Sequence, residues 1–191
     1  MTREEQIVKR SEEHKTMKTY VIMLSQTFPA NHPRRGEETK FKQQIINAIF
    51  VNQGWNKIAA YPELGDKRHT IRVNYDLWKK RIDEVQRGEA CLSLRQWEGK
   101  PYRSKQIEFA RLTNQDGVGI QQVNINLVCY DAHKSVDWFI PHPKKVTEFC
   151  WFNGTAIAYN DGLLIQDWVN WFKDYDLSKP LAIIHFTKFR Y

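Results

Sequence analysis

Three runs rich in alternating or β-branched residues, 90–97, 106–112 and 119–128, follow one another with only turn-forming segments between them. This succession constrains the fold more than any other feature of the chain. Gly99-Lys100-Pro101 breaks the first pair and Asn114 to Gly117 the second, so a small barrel or curled sheet is expected. Helices frame these strands. Phe41, Ile45, Ile49 and Phe50 recur at helical spacing and predict a helix over about 38–52. Leu77, Trp78, Ile82 and Val85 predict a second over about 75–87, with Gly88 as its C-terminal stop. A first strand over 19–24, a late amphipathic helix carrying Ile165, Trp168, Val169 and Phe172, and a last strand over 181–186 complete an α+β reading. Residues 130–146, with Pro141 and Pro143 around His142, read as an irregular insertion or lid. Residues 1–17 are polar almost throughout and read as a frayed or disordered extension, which leaves one domain over 18–191.

Between the first two helices, Gly65-Asp66-Lys67-Arg68-His69-Thr70-Ile71-Arg72 gathers cations around one hydroxyl at the entry to a strand. Pro62 and Gly65 interrupt any helix, while Thr70, Ile71 and Val73 favour extended chain. Alternation then puts Thr70, Arg72 and Asn74 on one face and His69, Ile71 and Val73 toward the core. Lys67 joins the polar face only if residues 65–68 bend, because an odd separation in a straight strand points side chains oppositely. The cluster fits an anion or nucleotide site; the plainer alternative is a solvent-facing lysine beside an ordinary strand threonine. Arg72 suits phosphate through its planar fork, or pairs with a buried carboxylate to position the strand.

The pattern Gly-x-Lys-x-x-Thr-x-Arg at 65–72 resembles the signature of ASCH domains, the RNA-associated branch of the PUA-like β-barrels. Ala158-Tyr159-Asn160-Asp161-Gly162-Leu163, the helix through Trp168 and Phe172, and the last strand follow in that family's order. The resemblance covers roughly 18–191 and implies a PUA-like small barrel with flanking helices and a central insertion. It is also similar to the bacterial N4-acetylcytidine amidohydrolase branch, which would make Thr70 the nucleophile, Lys67 its activator and Asp161 the acid, where that branch has a glutamate. A threonine hydroxyl needs an adjacent base, and lysine serves as one only with a depressed pKa. Asp161 is one methylene shorter than glutamate, and a displacement of about 1 Å can lower a rate roughly a hundredfold. Asn160-Asp161-Gly162 is also a turn sequence in which the aspartate could simply organise the start of the next helix.

A net charge of +7 and a basic pI fit a polyanionic partner, and the region from Gly65 to Arg111 holds twelve Lys or Arg against seven Asp or Glu. Arg68, Arg72, Trp97, Tyr102, Arg103 and Lys105 are the candidate nucleic-acid contacts. Trp97 to Lys105 mixes rings and cations as base stacking requires, or else forms a core tryptophan with a solvated turn. Cys91, Cys129 and Cys150 form no C-x-x-C pair and suggest neither disulfides nor a zinc knuckle. His133 and His142, with Asp131 and Asp137, lack zinc-site spacing, so no metal and no cofactor is expected. The chain has no long apolar run, and a reduced cytoplasmic setting is expected. These features are compatible with three functions: an RNA- or nucleoside-binding domain, an amidohydrolase of N4-acylated cytidine, or a non-catalytic interaction module.

Overall fold

The computed structural model describes residues 17–54, 63–130, 133–141 and 149–191, and the side chains among these outside 126–153. The 1–17 extension therefore lies outside the described residues except for Met17. In chain order the elements are β1 (Lys18–Met23), α1 (Phe41–Asn52), β2 (His69–Arg72), α2 (Tyr75–Gln86), β3 (Ala90–Trp97), β4 (Gln106–Leu112) and β5 (Gly119–Tyr130). They continue with β6 (His133–Pro141), β7 (Phe149–Asn153), α3 (Gly154–Asn160), α4 (Ile165–Phe172) and β8 (Leu181–His185). The chain is thus a mixed α+β protein with four α-helices among the described residues. None of these helices is long and apolar enough to cross a membrane.

β8 is buried on both faces and organises the fold. It lies between β2 and β5 in a five-stranded sheet of order β2-β8-β5-β6-β7. Successive residues point to opposite faces. Leu181 and Ile183 enter one core with Ile71, Ile157, Trp168 and Phe172, under α3 and α4. Ala182, Ile184 and Phe186 enter a second core with Ile22, Leu92 and Ile82, between this sheet, α2 and a smaller sheet of order β1-β3-β4.

Among the described residues the consecutive strands make two sheets and no closed barrel. β3 and β4 do pair as neighbours, but β4 does not continue into β5. A tight 3₁₀ turn at Asn114–Asp116 separates them, closed by a Thr113–Asp116 capping box and by Gly117 in the left-handed region at φ 80°. β3 instead takes β1 as a parallel partner, and β5 takes β8 from the C-terminal end of the chain.

The irregular chain read over 130–146 is corrected in part: 133–141 is a regular strand, antiparallel to β5 on one side and β7 on the other. Pro141 sits at its last position, where a missing N–H is tolerated. Residues 142–148 and 131–132 lie outside the described residues, as does the side chain of every member of the His133, His142, Asp131 and Asp137 group. A third correction concerns β2, which ends at Arg72. Asn74 turns left-handed at φ 64° and caps α2 by accepting the Leu77 N–H at 3.2 Å. Val73, read as core, is 50 % exposed.

Candidate functional site

The Asn-Asp-Gly sequence stops a helix instead of starting one. Gly162 takes φ 78°, its N–H bonds the Tyr159 carbonyl at 3.0 Å, and the Leu163 N–H bonds the Ala158 carbonyl at 3.0 Å. This pair of bonds is a Schellman closure, so Asp161 is the C-cap of α3, at the negative end of the helix. Lys67 is 1 % exposed and its Nζ donates to both the backbone carbonyl and Oδ1 of Asp161. One ammonium thereby satisfies an otherwise unpaired helix-end carbonyl and a buried carboxylate. The Phe41 ring lies 4.2 Å from the same nitrogen. The backbone is anchored on both sides of α3 and α1: Lys67 N–H donates to Gln44 O at 3.1 Å and Arg68 N–H to Asn160 O at 2.8 Å.

Burial pushes Lys67 below the usual lysine range, Asp161 opposes that shift, and Arg72 adds to it. Burial pushes the Asp161 carboxyl up, against Lys67 and Arg72. His69, fully buried, extends the cluster: its Nδ1 is 4.0 Å from Asp161 Oδ1 and its Nε2 is 2.8 Å from the Tyr191 hydroxyl. Burial, then the neighbouring His185, Lys67 and Arg68, hold His69 neutral. Asn160 Nδ2 donates to the Tyr191 hydroxyl at 3.1 Å, which donates to the Ala156 carbonyl at 3.3 Å. Phe41, Gln44 and Tyr191 were not among the sequence candidates. Nothing in the linear sequence joins them to Lys67.

Lys67 and Asp161 are brought together; Thr70 is not hydrogen-bonded to either. Lys67 and His69 both converge on Asp161, and Thr70 is the next residue of the strand, so its side chain leaves from the opposite face. It lies across from Ile184, a residue of the second core, whereas Ile71 lies across from Ile183 of the first. No bend is formed at 65–68 to bring Lys67 round to Thr70, and Arg68 is bonded through both its N–H and its carbonyl. Arg72, half-buried, donates to the Met23 carbonyl at 2.7 Å and ties β2 to the end of β1. Arg68 lies 3.5 Å from Asp66 and over the Phe189 ring at 5.2 Å. Trp97, Tyr102, Arg103 and Lys105 stand apart from this cluster, on the hairpin joining β3 and β4.

A pocket of about 330 Å³ opens beside the pair, walled by the loop from Phe28 to Lys40, by Gln44, and by Tyr159 and Gly162 at the end of α3. Its Phe28 ring is covered by Arg34, 4.5 Å from the ring centre, and by His32, stacked at 4.5 Å. Arg34 is held in place by Asp167 at 2.6 Å. Gln44 Oε1 is buried without a hydrogen-bond partner among the described residues. Gly162 makes room for it: a Cβ there would press on Gln44 Oε1 and stand 3.1 and 3.2 Å from the Lys67 side chain. Gly162→Ala should therefore lower the free energy of unfolding measured in urea, by about 1–2 kcal/mol from the left-handed backbone alone. Gly36→Ala is the control, since Gly36 has φ 82° and nothing within 4 Å of a Cβ. A larger loss at Gly162 measures the contact, and equal losses would remove it from the site. Comparisons with family models, with curated proteins and with solved structures find no match to this chain.

Proposed function

We propose that the chain is an RNA- or nucleoside-binding domain of the ASCH, PUA-like type, which receives a base in the pocket beside the Lys67–Asp161 pair. The observation that carries this reading is the buried, unpartnered Gln44 Oε1 at a pocket whose aromatic and cationic wall is already held in place. About 330 Å³ falls within the usual range for small-molecule sites. Unpaired nucleobases are recognised by stacking on rings or guanidinium planes and by hydrogen bonds to their edges, and this wall offers both. Lys67 and Asp161 act here as framework: they fix the end of α3, and with it Tyr159 and Gly162.

The amidohydrolase reading draws support from a dehydrated, pKa-depressed lysine beside a carboxylate. It loses that support at Thr70, whose side chain leaves the strand on the other face. Calorimetric titration with cytidine, N4-acetylcytidine and uridine separates the two readings. Binding without acetate release is expected, weakened roughly 2- to 10-fold in Gln44→Leu by loss of one hydrogen bond. Acetate release abolished by Thr70→Ala would replace binding with catalysis. If no nucleoside binds, or Gln44→Leu binds as the wild type does, the pocket reading fails.

A further inference from the structure

Tyr102 is 90 % exposed, the most exposed of the large apolar side chains in the described residues. It is held out by a backbone that a tyrosine rarely adopts. Lys100, Pro101, Tyr102 and Arg103 form a four-residue turn closed by the Arg103 N–H on the Lys100 carbonyl at 3.1 Å. Pro101 occupies the second position and Tyr102, at φ 63°, the third, which is the type II arrangement that calls for glycine. A bulky residue at positive φ is strained, and such strain concentrates at sites of function. The turn is not loose, since Ser104 Oγ donates to the Lys100 carbonyl at 2.9 Å and accepts the Gly99 N–H at 3.0 Å.

Two further observations say what this ring is for. Tyr102 leans on Trp97 with ring centres 5.4 Å apart and planes at 51°, so one face is backed by a second ring while the rest meets solvent. Lys100, Arg103 and Lys105 lie within three residues of it in sequence, all exposed and none in an ion pair among the described residues, and Glu98 is the one acid in the 97–105 segment. The hairpin also leaves the same end of the small sheet as the pocket loop. β1 and β3 are parallel, the Leu24 N–H still bonds the Arg95 carbonyl at 2.9 Å, and from there β1 runs into the loop carrying Phe28 and Arg34. β3 runs on two residues to Trp97.

We propose that the β3–β4 hairpin is a stacking finger for single-stranded nucleic acid, in which Tyr102 receives a base and Lys100, Arg103 and Lys105 follow the phosphates. The inference extends the nucleoside reading from one base to a strand and rests on it for the class of ligand. A sequence-tolerant stack of this kind requires a ring and unpaired cations, and no base-edge contacts.

The test is fluorescence anisotropy of the full chain with fluorescein-labelled oligouridylate and oligodeoxythymidylate of about twelve nucleotides. Tyr102→Gly suits the turn better than tyrosine does, so its urea midpoint should hold or rise while its affinity for oligouridylate falls about 5- to 100-fold. Tyr102→Phe should bind within about threefold of wild type, because the ring is kept. Replacing Lys100, Arg103 and Lys105 by alanine should flatten the log–log salt slope by about 2. Cytidine affinity should be unchanged in Tyr102→Gly. Undiminished oligonucleotide binding by that variant overturns the finger, even where cytidine binding upholds the pocket. Tyr102-dependent oligonucleotide binding without cytidine binding upholds the finger and removes the pocket. If neither oligonucleotide binds, the proposal is wrong, and capture by phosphatidylserine vesicles would identify the patch as a membrane contact. The ratio of the two oligonucleotide affinities tells RNA from DNA.

Discussion

Lys67→Met should lower the free energy of unfolding by about 3–5 kcal/mol, the usual loss when one member of a buried ion pair is removed. The size follows from what remains: Asp161 Oδ1 and the Asp161 carbonyl, both served by Lys67 Nζ, are left in a site where Lys67 is 1 % exposed and water has little access. Arg72 acts on the Asp161 carboxylate only from a distance, because its guanidinium is committed to the Met23 carbonyl. Small domains hold roughly 5–15 kcal/mol in total, so the variant should stand near the edge of folding. Asp161→Asn should lose less, since its amide oxygen still accepts from Lys67. The Lys67→Met/Asp161→Leu pair should regain most of the single loss, because it removes both buried charges. Urea unfolding of the four proteins measures all three values. A Lys67→Met loss below about 1 kcal/mol would mean that the pair does not hold α3, and Lys67 would then belong to the ligand and not to the framework.

The readability of this site from sequence divides along physical lines. Residue types were legible: Gly65 to Arg72 stood out as a cationic strand entry, and Asp161 as an acid beside a turn glycine. Their partnership was legible only through resemblance, because 94 residues separate Lys67 from Asp161 and no local periodicity spans that distance. Face assignment along β2 was half readable. His69 and Ile71 go inward as alternation requires, but Thr70 is also buried, because β2 is sandwiched between two cores and has no solvent face. The direction of Lys67 depended on whether 65–68 bends, and the bonds of Arg68 to Asn160 and Phe186, both made late in the chain, decide it. The same long-range pairing explains why the consecutive strands divide between two sheets. Runs at 90–97 and 106–112 coincide with β3 and β4, yet which strand lies beside β5 is decided by β8, some fifty residues further on. Tyr102 was visible as an aromatic in a basic turn, but Pro101 followed by tyrosine does not announce a left-handed residue, since that position ordinarily takes glycine.

Acid should unfold the protein through its neutral histidines, and His185→Leu should remove a measurable part of that effect. Both His185 ring nitrogens are buried with no hydrogen-bond partner among the described residues. Burial, helped by Arg190, brings its pKa down from 6.5 to about 3. The ring is packed against His69, Phe189 and Tyr191, with centres 5.6, 6.0 and 6.1 Å away, and none of these supplies an anion. In the unfolded chain the same histidine titrates near 6.5. Between these two values the unfolded state binds a proton that the folded state refuses, so stability is complete above about pH 6.5 and falls as the pH drops toward about 3. One such group contributes about 1.4 kcal/mol per pH unit across that window. His69, also held neutral, adds to the wild-type slope in the same direction, while Asp161, whose carboxyl is pushed up, works against it. Both are present in His185→Leu, so the difference between the two proteins isolates His185. At pH 7 the leucine variant should be about as stable as wild type, because the replaced nitrogens made no bond. Below about pH 6 the two stability curves, from urea unfolding at unit steps to pH 4, should diverge by about 1.4 kcal/mol per unit in favour of leucine. Parallel curves would mean that water or a displaced ring already satisfies His185, and that the core between β8 and Tyr191 is not dry.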